Sequence, residues 1–215
     1  MKDGVNFITR ISAGDGSFAM RRLAKKAYAA GTSAKEAATD LIKNLRQAGQ
    51  DIVEGDLSGA AEELMDSVVY AGGFVTDGTL DAALGQISRD AGVDFSIQDC
   101  QPVFLAPNQV RRQPAIELSP SSGLVGSPVR ERRDEELIDV AEIGNFYLVR
   151  GEALLNPGIQ PGRQLNIRSQ YLSSSRQNSA AGAGFVPIKV RSCAHRGDTA
   201  GGEWRTSFDG PDLVL

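Results

Sequence analysis

The only histidine of the chain, His195, lies two residues after Cys193, one of its two cysteines. Side chains at positions i and i+2 of a strand share a face, so a strand here would place the thiol beside the imidazole. Such a pair could serve as a cysteine nucleophile with its base, or as half of a metal site. A metal site needs further ligands, however, and Cys100 lies in a different segment. We favour a structural histidine that is hydrogen-bonded near a strand end.

Carboxylates and glycine-rich segments give no comparable signal. The 27 acidic residues include no pair flanked by a distinctive motif, and sequence spacing cannot supply the separation that a glycosidase needs. The segments 14–16 and 182–184 lack the glycine spacing and the Gly-Lys-Ser/Thr ending of nucleotide-binding loops. Carboxylates and glycine-rich segments therefore single out no catalytic, cofactor-binding or metal-binding residue, and they are no evidence for or against an enzyme.

Composition argues against several functional classes. The chain has 215 residues, a formal net charge of −4 and a pI near 5.1, so electrostatic binding of nucleic acid is not expected to be its main role. Two cysteines cannot form a disulfide framework, and whether Cys100 pairs with Cys193 stays open. The sequence has no apolar run of the ~20 residues that cross a bilayer, and its N-terminus lacks the apolar core of a signal peptide. We expect one mid-sized domain or two small ones, and no membrane partner.

The first half of the chain predicts mixed structure. Val5–Ile11 alternates apolar and polar residues, as a half-buried strand does. Ser33 and Glu36 form a capping box, which opens a helix that ends near Gly49. The remaining predicted elements are a helix over Ala60–Tyr70, a helix from its N-cap Thr79 to Asp90–Gly92, and a hairpin over Val93–Leu105.

The second half predicts short strands. Six apolar or alternating runs are separated by Gly, Pro, Ser and Asn, and their spacing of roughly 8–12 residues favours a sandwich or barrel. The predicted fold class is α+β and strand-dominated, with Ile188, Val190, Trp204 and Phe208 in the core. Segment 137–143 is ambiguous between helix and strand, and segment 173–184 is predicted to be a long mobile loop because it is almost without apolar groups. The six runs are Ile116–Leu118, Leu124–Val129, Phe146–Glu152, Leu165–Arg168, Phe185–Cys193 and Trp204–Phe208.

A run of seven charged residues, Arg130–Glu136, interrupts this pattern. Its three arginines, Arg130, Arg132 and Arg133, stand against four carboxylates, so its net charge of −1 makes no basic patch for a phosphate backbone. Two interpretations stay open. The run forms a solvated strand edge and turn, or it forms salt bridges to a neighbouring subunit.

Six segments of the chain resemble, in the same order, segments of the baseplate hub proteins of contractile-tailed bacteriophages. The closing stretch is the most specific. In that family a strand is followed by His-x-Gly-Asp-Thr, a glycine-rich turn and a Trp-bearing strand, which here correspond to His195, Gly197, Asp198, Thr199 and Trp204. The segments are FITRISAGDG, AGTSAKEAATDLIKNL, DFSIQDCQPVFLAP, IELSPSSGLVGSPVR, ALLNPGIQPGRQLNIRS and IKVRSCAHRGDTAGGEWRTSFDG, with Pro161-Gly162 and Ser119–Pro128 also typical.

The resemblance implies a tail-tube-like β-barrel plus a small helix/strand domain. It divides the chain into a terminal strand region of a first barrel at 1–31, a small α/β domain at 32–107 and a tube-like barrel at 108–215. It implies no catalysis and no cofactor. It also implies that segment 173–184 orders only against a neighbour, so we expect an interface there and along the charged run. The candidate interface residues are Ser173, Ser174, Arg176, Asn178, Arg130, Arg132 and Arg133.

As a function, the resemblance implies a structural component of the tail baseplate hub. Such a protein joins the tail tube to the central spike and lines the genome ejection channel. The expected partners are further copies of the chain in a homotrimer, the tail tube protein and the central spike protein. DNA is expected to pass through the lumen without specific binding, because an acidic wall does not hold a polyanion. The expected location is the tail tip of the virion, assembled in the host cytoplasm.

One departure from the family adds a partner. Hubs of this kind begin with a first barrel, whereas this chain begins at what resembles the last strand of that barrel, Val5–Ile11. We therefore expect a second hub subunit that supplies the missing barrel by strand addition. Two other functions compete with the hub. One is a tail-associated peptidoglycan hydrolase, which would use an acidic pair or the Cys193–His195 site, and the other is a spike-side protein of a related contractile secretion system.

Overall fold

A computed structural model describes residues 2–3, 6–7, 20–47, 56–57, 59–98, 100–132, 147–172, 184–198 and 202–213. Three helices lie within these residues: α1 (Ala34–Gln47), α2 (Ala60–Ser67) and α3 (Leu80–Ala91). No helix in these ranges is long and apolar enough to cross a membrane. The strands are β1 (Lys2–Asp3), β2 (Asn6–Phe7), β3 (Leu23–Tyr28), β4 (Thr32–Ser33), β5 (Asp56–Leu57), β6 (Val69–Tyr70), β7 (Phe74–Thr79), β8 (Asp94–Gln98), β9 (Gln101–Leu105), β10 (Ile116–Leu118), β11 (Leu124–Arg132), β12 (Tyr147–Leu154), β13 (Gln164–Ile167), β14 (Val186–Lys189), β15 (Ser192–Arg196) and β16 (Arg205–Pro211).

The capping residues of α1 and α3 act as the sequence predicts. At the start of α1, the Ser33 amide donates to Glu36 Oε2 and the Glu36 amide donates to Ser33 Oγ, both at 3.2 Å. The Ala82 amide donates to Thr79 Oγ1 at 3.2 Å, and Gly92 ends α3 with a left-handed φ of 63°. These contacts satisfy backbone groups that the helix ends leave without intrahelical partners.

Helix α2 is shorter than the predicted helix over Ala60–Tyr70. It ends at Ser67, and β6 then pairs antiparallel with β4. No side chain at its own N-cap provides a hydrogen bond. The Ala61 amide instead donates to Oε1 of Gln109, 48 residues further along the chain, at 3.1 Å. A cap supplied from so far away leaves no local signal in the sequence.

Strands β3 and β7 form a two-stranded antiparallel ribbon that the sequence does not predict. The segment 23–28 reads LAKKAY, which suits a helix as well as a strand. On the inner face of the ribbon, Tyr28 Oη donates to Asp40 Oδ2 of α1 at 2.8 Å, and Lys26 Nζ donates to the same oxygen at 2.5 Å. Residues 20–28, which the resemblance assigns to a terminal strand region, thus pack on the same core as α1.

The predicted strand over Val5–Ile11 lies partly outside the described residues. Its described residues, Asn6 and Phe7, form β2 and pair antiparallel with β1. These two residues therefore have a partner strand within the chain.

The predicted hairpin over Val93–Leu105 is confirmed. Strands β8 and β9 pair antiparallel from Asp94–Leu105 to Gln98–Gln101, and β5 joins β9 in parallel. Phe104 is 1% exposed, and its ring centroid lies 5.0 Å from that of Phe95. Buried residues of the three helices pack with Phe104 in a first core.

All six strand runs predicted for the second half are confirmed, and they form two sheets. Strands β10, β13 and β14 make a three-stranded sheet, and β11, β12, β16 and β15 make a four-stranded sheet. The run Phe185–Cys193 divides between them: the Val190 amide donates to the Arg163 carbonyl beside β13, and the next amide, of Arg191, donates to the Asp209 carbonyl of β16. One bent segment thus belongs to both sheets, which share a second core.

The expected closed barrel is not found among the described strands. A bridge between Ile188 and Asp212 links the two sheets, but the outer strands β10 and β11 do not pair with each other in the described ranges. The observed architecture is α+β and strand-dominated, with two sheets on one core. Ile188, Val190 and Phe208 are buried as predicted, but Trp204 is 47% exposed because it precedes β16 rather than alternating within it.

A buried lysine is one of the residues that join the two cores. Lys189 of β14 is 5% exposed, and its ammonium donates to Asp94 Oδ2 at 2.6 Å and to the carbonyls of Ala106 and Pro107 at 2.9 and 3.1 Å. Three acceptors match the three N–H groups of an ammonium. They belong to β8 and to the segment after β9, so this contact, the Lys189 clamp, holds the sheets against the first core.

The backbone of the same lysine lies against Gly210 of β16. A Cβ at Gly210 would overlap the Lys189 carbonyl oxygen and come within 2.8 Å of its carbonyl carbon. Glycine is needed at this position because the two backbones approach closely, and the side chain of any other residue would push them apart.

The Lys189 clamp predicts a large loss of stability when its donor is removed. Lys189→Met should lower the free energy of unfolding by about 2–3 kcal/mol, since it leaves buried carbonyls without a donor. The control is Lys25→Met, since the Lys25–Asp77 ion pair is 70% and 76% exposed and should contribute less than about 1 kcal/mol. Urea denaturation measures both values, and equal effects would contradict the clamp.

The close crossing at Gly210 predicts that a single methyl group is costly there. Gly210→Ala should lower the free energy of unfolding by about 3 kcal/mol, because backbone atoms would have to shift. Gly78→Ala is the matched control in strand β7, since a Cβ there meets nothing within 4 Å. It should be neutral or stabilising by up to about 1 kcal/mol. Thermal unfolding followed by circular dichroism distinguishes the two.

Candidate functional site

The predicted Cys193–His195 pair lies on β15, at the edge of the four-stranded sheet. Pairing with β16 sets Cys193 opposite Phe208 and His195 opposite Thr206, so all four side chains share one face. The Cys193 Sγ and His195 Nε2 atoms are 3.9 Å apart, and His195 Nδ1 lies 3.0 Å from the Oγ1 atom of Thr206, which is fully buried. The imidazole is therefore held by a hydroxyl near a strand end, as the structural interpretation expects.

The electrostatics of this pair do not favour a nucleophile. Burial raises the pKa of the Cys193 thiol, and the nearby Asp209 carboxylate raises that pKa further. Both effects favour the protonated thiol, whereas catalytic cysteines need a lowered pKa. Within the described residues, no three His, Cys, Asp or Glu side chains are grouped to hold a metal ion.

A groove of about 530 Å³ lies over the outer face of the same sheet. It forms because β11 bulges between Val125 and Val129, where its register against β12 shifts. Charged groups along the face are engaged with neighbours: Arg150 pairs with Glu131 at 3.1 Å, and Ser192 Oγ donates to Asp209 Oδ2 at 2.6 Å. A wide, open surface lined by both polar and apolar groups suits contact with a protein better than capture of a small molecule.

The predicted interface residues fall into two groups. Ser173, Ser174, Arg176, Asn178 and Arg133 lie outside the described residues. The other two, at positions 130 and 132, lie at the end of β11.

Arg130 is engaged within the chain. It forms an ion pair with Asp212, with side chains only 20% and 15% exposed, and its guanidinium carbon lies 3.9 Å from the ring centroid of Tyr147. These contacts tie the end of β11 to the residue after β16. Arg132 is exposed at the end of the same strand, so a role at a subunit interface stays a prediction for that residue.

Two exposed apolar surfaces escape the sequence analysis. On the outer face of the β3–β7 ribbon, Leu23 is 72% and Val75 is 69% exposed. At one end of the four-stranded sheet, Leu154, Leu155 and Trp204 are 54%, 39% and 47% exposed. The ribbon register places Leu23 and Val75 on one face. The β12–β16 register places Leu154 on the same face as Arg205, so Leu155 and Trp204, the neighbouring residues in the two segments, do not share that face.

Trp204 is held in place by a glycine and a backbone contact. A Cβ at Gly197 would overlap the indole, so the ring lies directly against the backbone there. The Trp204 carbonyl accepts a hydrogen bond from the Leu155 amide at 3.2 Å. The indole is therefore fixed with part of its surface exposed.

No family model matches the chain, and no curated protein matches it in sequence. Solved structures do match. The tail protein from Neisseria meningitidis MC58 superposes with a TM-score of 0.57 at 10% identity, over 91% of this chain and 71% of that one. The chain shares its fold with tail proteins. The Escherichia coli c3393 protein superposes with a TM-score of 0.56 at 8% identity, over 92% of this chain and 53% of that one.

The second match connects the fold to secretion as well as to phages. The c3393 protein is described as a component of the type VI secretion system with structural similarity to the T4 bacteriophage tail proteins gp27 and gp5. This chain spans about half of its length. The resemblance drawn from the sequence is thus confirmed at the level of a tail-protein fold.

The protonated state of Cys193 gives a chemical test of the site. In a Cys100→Ser chain, alkylation of Cys193 by iodoacetamide should reach half its maximal rate at a higher pH than alkylation of free cysteine. Asp209→Asn should lower this midpoint, because it removes a negative charge that disfavours the thiolate. Asp77→Asn, an exposed carboxylate on the ribbon, should leave it unchanged. A midpoint below that of free cysteine would restore the nucleophile hypothesis.

Proposed function

We propose that this chain is a structural, non-enzymatic protein of a phage tail baseplate hub, which joins the tail tube to the central spike. The observation that carries the proposal is the tail-protein fold along 91% of the chain. The proposal extends to its place at the tail tip of the virion, after assembly in the host cytoplasm, and to passage of DNA through the lumen without specific binding.

The proposed partners are further copies in a homotrimer, the tail tube protein, the central spike protein and a second hub subunit that supplies a first barrel. The arrangement of the cores supports a platform role. A helical unit and a sheet unit are held together by the Lys189 clamp, so the chain can present two different surfaces in a fixed relation. Such a protein acts through its shape, so the residues that matter for its function are those that position the interaction surfaces.

A second candidate is a spike-side protein of a contractile secretion system. The match to the c3393 protein over 92% of this chain favours it. The neighbouring genes distinguish the two: capsid genes accompany a phage hub, whereas sheath and effector genes without capsid genes accompany a secretion system. The hydrolase alternative has no such support, and in its Cys–His form burial and Asp209 raise the pKa of the Cys193 thiol that would be the nucleophile.

The hub proposal predicts a fixed copy number. Quantitative peptide mass spectrometry of purified particles, scaled to the major tube protein, should give three copies of this chain per tail, because a trimeric ring occupies the tip once. A second protein at equal copy number would identify the subunit that supplies the first barrel. Absence of the chain from the particles, or a copy number like that of the tube protein, would contradict the hub assignment.

A further inference from the structure

We infer that the open side of β15 binds an extended segment of another protein as an added strand, and that this segment carries an acidic residue next to an apolar one. The binding edge comprises residues 192–198, which are β15 and the two residues after it. The acidic residue of the partner lies opposite Arg196, and the apolar residue lies opposite Gly197. This contact is separate from the strand addition expected at residues 5–11, and it does not depend on the proposed hub function.

The binding edge is open along its length. Among the described strands, β15 pairs only with β16, so its other side has no strand partner there. Residues 192–198 are all exposed except Cys193, which is partly buried. The backbone groups of an edge strand that point away from the sheet can hydrogen-bond to an added strand. The edge also contains no proline and no lysine, the residues with which many sheets prevent such pairing.

On one face of the sheet, Trp204 marks the position for the apolar side chain. The β15–β16 register pairs Arg196 with Arg205, which sets Gly197 beside Trp204. A Cβ at Gly197 would overlap the indole, so the ring occupies the space of the side chain that glycine lacks. The indole therefore lies over the outermost strand, where a residue opposite Gly197 on an added strand would contact it.

The indole is suited to be the anchor of this contact. It is 47% exposed, and the Trp204 carbonyl accepts a hydrogen bond from the Leu155 amide at 3.2 Å. Because the ring already packs on the Gly197 backbone, a partner that covers it immobilises little additional side chain. Tryptophan is among the residues that contribute most to the affinity of protein–protein contacts.

On the opposite face, Arg196 favours an acidic partner residue. Its pair on β16 is Arg205, a like charge that is already engaged by Glu203 Oε2 through hydrogen bonds of 2.7 and 3.1 Å. Arg196 is exposed and forms no ion pair with the described residues, and the nearby Asp198 packs against Gly202. An acidic residue opposite Arg196 gives a cross-strand pair of unlike charges, whereas a basic residue is repelled.

The other described strands do not supply this combination, which points to a different protein as the partner. A second copy of the binding edge, SCAHRGD, offers no large apolar side chain to cover Trp204. In β11, the other outer strand of the same sheet, both neighbours of Glu131 are arginines. In β5, β8 and β10 an acidic residue does adjoin an apolar one, but these apolar side chains, Leu57, Phe95 and Leu118, pack in the two cores. A segment of another protein in which both side chains are exposed meets the requirements.

Two synthetic peptides test the binding edge on the full chain, with the fluorescence of Trp204, its only tryptophan, as the readout. The peptide Thr-Thr-Val-Glu-Val-Thr-Thr reads the same in both directions, so its glutamate can lie opposite Arg196 in a parallel or an antiparallel pairing. Its binding should shift the Trp204 emission to shorter wavelength, because a covered indole is removed from water. The same peptide with lysine in place of glutamate should bind about tenfold more weakly, since it sets like charges opposite each other. Unspecific attraction to a chain of net charge −4 would favour the lysine peptide instead.

Charge reversal provides the matched control. Arg196→Glu should reverse the preference, so that the lysine peptide binds more tightly than the glutamate peptide. Lys43→Glu makes the same change in net charge at an exposed residue of α1 and should leave the preference unchanged. Circular dichroism checks that both variants are folded. Hydrogen exchange of residues 192–198 should slow when the glutamate peptide is bound, which distinguishes strand addition from contact with the indole alone.

Several outcomes would overturn the inference. A chain that binds neither peptide, or binds both equally, lacks the proposed edge site. Peptide binding that leaves hydrogen exchange over residues 192–198 unchanged excludes strand addition. With no peptide present, a Trp204 emission that moves to shorter wavelength as the chain concentration rises would mean that a second copy covers the edge. The hub proposal is decided separately by the copy number in particles, so the failure of one leaves the other standing.

Discussion

The close crossing of two backbones at Gly210 is the constraint on which the rest of the sheet unit depends. Strand β16 is paired on both sides, with β12 and β15, and it can pass the bend between β14 and β15 because Gly210 has no side chain. The residue whose carbonyl occupies that space is Lys189, and its ammonium leaves the sheets to reach the first core. One short segment thus contributes both to the meeting of the two sheets and to their junction with the first core.

This arrangement explains why a buried charge is present at the seam. A lysine that is 5% exposed loses much hydration, and it is stable here because three acceptors replace the water. Two are backbone carbonyls and the third is Asp94, whose side chain is 58% exposed. Such a contact is more directional than apolar packing, since the ammonium is satisfied in one relative position of the two units. That positional requirement matters for a protein whose proposed role is to present surfaces.

Local chemistry made part of the fold predictable from the sequence. The Ser33–Glu36 box, the Thr79 cap and the short apolar runs are signals within a few residues, and the corresponding elements are present. The ribbon over 23–28 is not predictable from its own sequence, because LAKKAY becomes a strand only through pairing with β7, about 50 residues away. The Lys189 clamp and the exposure of Trp204 depend likewise on contacts between distant segments. In the candidate site, the sequence predicts that the side chains of Cys193 and His195 lie next to each other. It does not predict the raised pKa of the Cys193 thiol, which depends on burial and on Asp209.

The proposed geometric function is consistent with a fold that this chain shares with tail proteins at 8–10% identity. The conditions that this fold places on the sequence are few: alternation along short strands, glycine where backbones cross, and donors for buried acceptors. Many sequences satisfy them, so proteins of very different sequence can share the fold. A catalytic site would add fixed residue identities at fixed distances. In this chain the pair best placed for chemistry has its thiol disfavoured as a nucleophile and its imidazole bonded to Thr206, so its structural role constrains shape rather than reactivity.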